Sequence, residues 1–283
     1  MAKHKYAFDE KKLARFLKEG RGKGHGPQYK PWLTIQDVSS SGRSTRILGA
    51  TTGRVHHFLS DLETRLFLML DWSDRVTDIR EQYPLDRQVT RMLAAAMGIT
   101  HPRDTNTQTD IVMTTDLLVD VRHDGAQESI AFSVKPADRL DDRRTLEKLE
   151  LERRYWEREE VAWYLTTERE LPRVRTANLR WLHEMRSLAE LRVPHPAYWE
   201  DRCARFLAEL SRARGGLIGD FIEHLEQRCA FGRGEAMTAL RHLAATRRIS
   251  LDLDREFSHK DPLAVIGIAG DGGADAGQGR AQA

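Results

Sequence analysis

Two stretches, TTDLLVDV and SIAFSVKPA, place acidic and basic side chains on what their apolar alternation predicts to be neighbouring β-strands. The second stretch carries Lys135 directly before a proline, which stops further strand pairing. A lysine in that position is ordinarily a solvated edge residue that discourages edge-to-edge association of sheets. It acquires a chemical role only if a neighbouring strand supplies a partner.

The Asp-Gly pair at 124–125 predicts a β-hairpin between these strands. A two-residue turn sets Asp116 opposite Ser133 and diagonal to Lys135, whereas a loop two residues longer sets Asp116 directly opposite Lys135. Either register brings the three side chains to one face of the sheet. Asp120 shares that face but lies four residues further along its strand, about 13 Å away. We therefore expect Asp116, rather than Asp120, to be the partner of Lys135.

A carboxylate and a lysine on adjacent strands suit metal-assisted hydrolysis of a phosphodiester. Carboxylate oxygens bind Mg²⁺, which neutralises charge on the scissile phosphate. The lysine can stabilise the transition state or help to place the attacking water. A second acidic ligand is expected from another element, and Glu63 is the candidate. Since SDLE is also a capping box, Glu63 alternatively does no more than bond the amide of the N-cap Ser60.

Helices and strands must position these residues. Their order along the chain predicts an α/β (α+β) fold with a mixed sheet. The first half is predicted to hold helices at 9–19, 60–71, 86–99 and 141–160, and strands at VTDIREQYPL, 109–121, 129–136 and 161–167. Helices at 176–189, 197–213, 217–228 and 234–246, with a strand or wing in RRISLDLDREF, resemble a winged-helix module. We therefore predict a catalytic domain at 1–170, a winged-helix-like domain at 171–268 and a disordered tail at 269–283.

Composition narrows the function classes. The 283 residues are 40% hydrophobic and 31% charged with a net charge of +2. No run approaches the roughly 18 apolar residues of a membrane span. The start of the chain has no apolar signal core, so nothing suggests export. The two cysteines fit reduced thiols in a cytosol and offer no metal spacing, and the histidines form no Cys/His cluster of zinc type, so we predict no structural zinc.

The N-terminal segment is locally basic, with nine Lys/Arg against three Asp/Glu in residues 1–30. Part of this excess lies in the Gly-rich stretch EGRGKGHGPQYK. The segment is interpreted either as an arm that contacts nucleic-acid phosphates or as a merely solvated N-terminus. Its glycines match no Walker spacing, so no nucleotide site is predicted there.

The order of VHHFLSDLE, VTDIREQYPL, TDLLVDV, SVKPA and RTLEKLELERRYW resembles the TnsA family, the endonuclease subunits of Tn-seven-like cut-and-paste transposons. The resemblance runs through nearly the whole chain. It implies a restriction-endonuclease-like PD-(D/E)xK core and places the family's catalytic residues on Glu63, Asp116 and Lys135. It also implies Mg²⁺ held by Glu63, Asp116 and the backbone carbonyl of Val134, with Mn²⁺ able to substitute.

One position departs from the family pattern. Two residues before the lysine the family has an acidic residue or glutamine, but here Ser133 occupies that place. A serine hydroxyl is a poor Mg²⁺ ligand, so it would act through water or leave the coordination to Val134.

Other residues have weaker interpretations. Arg80 and Gln82 either support the sheet or contact DNA. Lys148 either faces DNA or lies, with the rest of the charged run EKLELERR, on a solvated helix face. The pair His56-His57 either reaches the backbone near the site or packs a loop.

The resemblance also implies a function and partners. The protein would nick DNA at the ends of a mobile element on the five-prime strands, while a DDE transposase (TnsB) cuts and joins the three-prime strands. The second domain would dock an AAA+ ATPase regulator (TnsC). A bacterial cytoplasmic location follows, associated with the nucleoid during transposition. Two alternatives stay open: a stand-alone restriction or repair nuclease, and an assembly adaptor whose site has decayed at Ser133.

Overall fold

The computed structural model describes residues 7–38 and 43–269, and the chain divides after Pro172 into two compact units. The division falls in the segment ELPRV. Residues 270–283, nearly all of the predicted disordered tail, lie outside the described residues, as do the first six residues of the basic N-terminal segment. Over the described ranges, no helix combines the length and apolar content needed to cross a membrane.

The first unit is built on a mixed four-stranded sheet, as predicted. Its strands run in the order β3-β4-β5-β6; the first two pairs are antiparallel and β5 pairs with β6 in parallel. The bounds are β3 Val76–Pro84, β4 Thr114–His123, β5 Ala126–Val134 and β6 Ala162–Thr166. A separate antiparallel ribbon joins β1 Thr45–Leu48 and β2 Val55–Phe58. Four helices accompany these strands: α1 Glu10–Lys18, α2 Asp61–Asp71, α3 Arg87–Ala96 and α4 Arg143–Arg158.

The β4–β5 hairpin has the shorter of the two predicted loops. Leu117 pairs with Phe132 and His123 with Ala126, so only residues 124–125 form the turn. Asp124 and Gly125 have φ angles of 49° and 85°. Two successive positive φ angles match the right-handed twist of the strands, which is why Asp-Gly favours this turn. The predicted register is therefore confirmed.

The first strand of this hairpin begins later than predicted, so the predicted N-terminal bound was wrong. The predicted strand begins at residue 109, but β4 begins at Thr114. Asp110 instead pairs with Arg91 and Arg103 on neighbouring segments, and Met113 accepts a hydrogen bond from the Leu85 amide at 2.8 Å. These contacts draw residues 109–113 away from the path of the strand.

One apolar core covers the face of the sheet that α3 and α4 pack against. Its fully buried members include Leu118 and Ala131 from the central strands and Leu151 from α4. Because side chains alternate along a strand, Asp116 and Ser133 lie on this same face, two residues beyond the core residues. The burial of the core therefore places the polar residues of interest between the end of the sheet and α4.

A buried ionic network links the β1–β2 ribbon to the sheet. The Glu81 carboxylate accepts hydrogen bonds from the guanidinium of Arg54 and lies 2.8 Å from Nδ1 of His56. All three residues are buried, and Nε2 of His56 lies 2.7 Å from the Thr52 hydroxyl. His56 is thus a packing residue of the ribbon, the second of its two interpretations.

The second unit consists of four helices and a minimal strand pair within the described part of the chain. Its elements are α5 Arg173–His183, α6 Tyr198–Arg212, α7 Ile218–Arg228, α8 Glu235–Ala245, β7 Ile249–Ser250 and β8 Gly267–Ile268. The first helix was predicted at 176–189 but begins and ends earlier. Side chains of α8 explain its end, because Arg241 donates to the Trp181 carbonyl and the His242 ring bonds the Met185 carbonyl. The winged-helix-like designation stays a prediction.

Candidate active site

Lys135 and Asp116 form an ion pair at the end of β5. The Lys135 ammonium Nζ lies 2.9 Å from Asp116 Oδ2 and donates a second hydrogen bond to the Val134 carbonyl at 2.9 Å. The Val134 amide also donates to Asp116 Oδ2, at 2.7 Å. Asp120 is engaged elsewhere, with Arg80 and Ser129. The predicted pairing of Lys135 with Asp116 rather than Asp120 is confirmed.

The two oxygens of Asp116 have different surroundings. Both of its hydrogen bonds fall on Oδ2, and Oδ1 accepts none from the residues that the structure describes. Asp116 is nevertheless largely buried, at 9% exposure. Oδ1 of Asp116 thus has lone pairs that no described donor occupies, and such an oxygen is suited to a cation.

Glu63 is held at the start of α2 by the cap of that helix. Ser60 caps α2 by accepting a hydrogen bond from the Glu63 amide at 3.2 Å, and its hydroxyl donates back to the Glu63 carboxylate at 2.8 Å. The start of α2 is therefore capped as predicted, but the Glu63 carboxylate accepts from the Leu59 amide at 3.0 Å instead of the Ser60 amide. The same carboxylate is buried and lies within the electrostatic field of Asp116 and Lys135. Burial raises the pKa of Glu63 to about 7, and the Asp116 charge adds to the rise.

The Ser133 hydroxyl bonds an acid on α4. Its hydroxyl donates to Oε1 of Glu152, which also accepts from Thr115 at 2.7 Å. The indole of Trp156 donates to the Thr115 hydroxyl at 2.6 Å and completes a buried chain of hydrogen bonds. The Ser133 hydroxyl is thus held by α4, and the expectation that it acts through a bound water or leaves the coordination to Val134 stays a prediction.

Sequence reasoning missed Glu152. It lies in the charged run EKLELERR, which was interpreted as a solvated helix face. Its spacing held a signal, because Leu149, Glu152 and Trp156 recur at intervals of three and four residues and so share one face of α4. An acid on the apolar face of a helix is buried, and a buried acid needs partners.

Gln82 has an unusual backbone beside the site. Its φ of 48° is in the left-handed region, which is uncommon for a residue with a side chain. Its carbonyl accepts from the Trp32 amide at 3.2 Å instead of bonding β4, at the position that would face Asp116. Its amide oxygen accepts from Thr114 at 3.0 Å, and its Nε2 lies 3.5 Å from Glu63. Buried at 3% exposure, Gln82 supports the site rather than reaching outward.

The other two predicted DNA-contact residues differ in exposure. Arg80 is buried, and its guanidinium is bound to Asp120. This favours its structural interpretation. Lys148 is exposed on α4, and the positive charge of Lys135 is among the influences that lower its pKa, after burial and Arg144. Of the three predicted residues, Lys148 alone stands where a phosphate could approach.

The chain is similar to known transposon endonucleases over most of its length. The model of the TnsA-like endonuclease N-terminal family matches residues 73–168, and that of the TnsA endonuclease C-terminal family matches residues 170–253. The transposon Tn7 transposition protein TnsA of Escherichia coli is 49% identical over 211 residues, which cover 75% of this chain and 72% of the relative. The chain belongs to the TnsA family of transposon endonucleases. Asp116, Lys135 and Glu152 lie inside the first matched range, and Glu63 precedes it.

The donor set of this TnsA-family protein fits a divalent cation. Glu63, Asp116 and Glu152 are buried carboxyl groups held near a single ammonium, that of Lys135. Burial followed by the charge of Asp116 raises the pKa of both glutamates to about 7. The carboxyl groups therefore carry more negative charge than Lys135 can balance, and a hard cation with oxygen ligands would relieve the excess.

We predict that the free energy of unfolding depends on pH through the ionisation of Glu152. Because burial raises its folded-state pKa from 4.5 to about 7, the folded protein loses stability as the pH rises through this interval. The change Glu152→Gln keeps the shape but removes the ionisation. In metal-free buffer at pH 8 we expect this variant to exceed the unaltered protein in free energy of unfolding by roughly 1–3 kcal/mol. Near pH 4.5 the difference should vanish.

Urea unfolding at both pH values measures this effect. Glu150→Gln is the matched control on the same helix, because Glu150 pairs with Arg153 and Arg154 near the surface. We expect no gain from it at pH 8. Equal stability of the Glu152→Gln and unaltered proteins at pH 8 would contradict the inference that the buried charge of Glu152 destabilises the folded protein.

Proposed function

We propose that this protein is a metal-dependent DNA endonuclease that cuts the five-prime strands at the ends of a cut-and-paste transposon. The observation that carries the proposal is the 2.9 Å ion pair of Lys135 with Asp116 at the end of the β4–β5 hairpin, close enough to the buried Glu63 and Glu152 for their charges to help raise the pKa of Lys135. Family membership supplies the biological setting. The geometry supplies a carboxylate with one uncommitted oxygen and a cation beside it, which is what phosphodiester hydrolysis requires.

The metal in this proposal is Mg²⁺, with Mn²⁺ as a substitute. Asp116 through Oδ1, Glu63 and the Val134 carbonyl would hold it. When bound, it would act as a Lewis acid on the scissile phosphate. The Val134 carbonyl accepts a hydrogen bond from Lys135 in this structure, so its use as a ligand would require the ammonium to turn away.

Lys135 is proposed to act as a cation and not as a base. Burial lowers its pKa, but the Asp116 carboxylate outweighs this effect and holds the pKa above the ordinary value. The ammonium therefore keeps its proton at neutral pH. Its side chain is 35% exposed, so a phosphate oxygen can reach it. A fixed positive charge placed there stabilises the negative charge that builds up on the phosphate in the transition state.

The proposed partners divide the reaction between them. A DDE transposase (TnsB) would cut and join the three-prime strands, and an AAA+ ATPase (TnsC) would dock on the second unit of this chain. With a net charge of only +2, the chain has a weak overall electrostatic attraction to DNA. This supports a cutting position that is set by partners rather than by the protein's own readout of sequence.

Cleavage of labelled transposon-end DNA tests this division of labour. With Mg²⁺ present, we expect little five-prime-strand cleavage by the purified protein alone and efficient cleavage once the transposase is added. Efficient cleavage by the protein alone would instead identify a stand-alone restriction or repair nuclease. Strand cleavage that persists at the unaltered rate after Glu63→Ala, Asp116→Ala or Lys135→Ala substitution would identify an adaptor with a decayed site.

A further inference from the structure

A second group of potential ligands lies at the far end of β4 from the Lys135–Asp116 pair. Nδ1 of His25 is 3.4 Å from Asp78 Oδ2 and 4.0 Å from Asp120 Oδ2, and the three ligand atoms all lie within 4.8 Å of one another. The two aspartates are buried, at 5% and 4% exposure. The His25 side chain is 73% exposed and comes from the Gly-rich loop. Nothing in the proposed nuclease reaction uses this group.

Asp78 has one oxygen without a hydrogen bond. Its Oδ1 accepts from the amides of Gly26 at 3.1 Å and Ile79 at 2.8 Å. Its Oδ2 is buried and has no hydrogen-bond partner among the described residues. An unpaired buried carboxylate oxygen costs free energy, so such an atom calls for an explanation. It lies 3.4 Å from Nδ1 of His25 and 3.6 Å from Nε of Arg80, and a cation held beside His25 would satisfy it.

The charge balance also favours a cation. Arg80 is bound to Oδ1 of Asp120. The other oxygen of this carboxylate, Oδ2, lies 4.0 Å from the His25 ring. Nε of Arg80 lies 3.6 Å from Asp78 and makes no hydrogen bond in the described structure. One guanidinium thus faces two buried carboxylates, so the group carries one excess negative charge when His25 is neutral.

We propose that His25, Asp78 and Asp120 form a binding site for a divalent transition-metal ion of the Zn²⁺ type. One imidazole and two carboxylates suit such an ion better than Mg²⁺, which prefers oxygen alone. Nitrogen and oxygen ligands of tetrahedral zinc lie about 3.4 Å apart, at bond lengths near 2.0–2.2 Å. The separation of His25 from Asp78 already has this value. Oδ2 of Asp120, 4.0 Å from the His25 ring and within 4.8 Å of the Asp78 oxygen, needs to approach by about half an ångström or more. Because the His25 ring is exposed, a water molecule would be the fourth ligand of the ion.

The loop that carries His25 is shaped for this position. Gly24 and Gly26 flank the histidine with φ angles of 93° and 50°. A Cβ on Gly24 would lie 2.6 Å from the carbonyl oxygen of Gln28, so a larger residue would distort the loop. A bound ion would therefore fasten the Gly-rich loop to β3 and β4. The site is separate from the proposed catalytic cation, because Asp120 and Asp116 are about 13 Å apart along the strand, and it does not depend on the proposed function.

Zinc binding by the untagged full-length protein tests the proposal. The protein carries His224→Ala, because Glu209, His224 and Cys229 form a separate group of potential ligands. Excess Mg²⁺ is added to occupy the oxygen-rich catalytic site. Titration calorimetry should then detect one Zn²⁺ per chain. His25→Ala should weaken this binding by at least about 100-fold, since loss of outer-shell partners alone costs 10–100-fold.

His123→Ala is the matched control for this experiment. His123 is also an exposed histidine beside an aspartate, Asp124 at 3.2 Å, on the β4–β5 hairpin, but the Asp124 side chain is 90% exposed and is not a buried carboxylate. We expect it to bind Zn²⁺ like the unaltered protein. Asp78→Asn, which keeps the size of the side chain, should also lose binding, with circular dichroism to verify the fold. Absence of stoichiometric Zn²⁺ binding, or equal affinity of the His25→Ala protein, would overturn the proposal.

Discussion

Replacing Lys135 with alanine is expected to lower the rate of five-prime-strand cleavage by about 10²–10³-fold, the usual cost of removing one fixed charge or donor from a transition state. The ammonium lies against Asp116 and is partly exposed toward the position of a phosphate. Its loss removes the one cationic side chain that pairs with Asp116 among the described residues, but the Val134 amide still bonds the carboxylate. Binding of DNA should change far less than the rate, because the charge acts mainly on the transition state.

Single-turnover cleavage with saturating partner transposase measures this rate. Lys18→Ala is the matched control, since Lys18 is an exposed residue of α1. Lys135→Arg should remain well below the unaltered rate, because a planar guanidinium does not reproduce a compact ammonium charge. A Lys135→Ala protein that folds and cleaves at the unaltered rate would exclude the proposed role of the lysine.

Replacing Glu81 with alanine is expected to destabilise the fold by about 3–5 kcal/mol, which is typical of breaking a buried ion pair from one side. Glu81 is fully buried and is the carboxylate partner of Arg54 and His56. Its removal would strand the Arg54 guanidinium without a counter-charge. It would also release the β1–β2 ribbon from the sheet, because the His57 amide donates to the same carboxylate.

The pH dependence of this loss has a definite sign. Burial would raise the pKa of Glu81, but the hydrogen bonds from Arg54 and His56 outweigh it and lower the pKa from 4.5 to about 2. The stabilising contribution is therefore present above pH 4.5 and is lost as the pH falls toward 2. Urea unfolding should show a large deficit for Glu81→Ala at pH 7 and a smaller one at pH 3. Glu128→Ala, at an exposed position of β5, should show little deficit at either pH. A deficit for Glu81→Ala that does not shrink at low pH would contradict this assignment.

The central pair of the site was predictable because it depends on local rules. Strand alternation fixes which side chains share a face, and Asp-Gly selects a two-residue turn. Together they determine the register that brings Asp116 to Lys135. The cap of α2 was equally local, since Ser60 and Glu63 are three residues apart. The charge of Asp116 also raises the pKa of Glu63. This proximity depends on tertiary packing, and only the family resemblance indicated it.

The parts that escaped prediction depend on contacts between distant segments. Ser133 and Glu152 are 19 residues apart and meet only when α4 crosses the sheet. The left-handed backbone of Gln82 is set by the Trp32 amide, 50 residues earlier in the chain. Likewise His25 and Asp78 come together only because the Gly-rich loop folds back on β3. No pattern within a single element encodes such encounters.

The most direct test of the nuclease assignment is strand-resolved cleavage of transposon-end DNA by the Asp116→Asn protein, in Mg²⁺ and with the partner transposase. The five-prime and three-prime strands carry different labels, so the cut by the transposase serves as an internal control. We predict that the five-prime cut disappears while the three-prime cut persists at its usual position. A five-prime cut of undiminished rate would show that Asp116 does not hold the catalytic metal and that the strand is cut elsewhere.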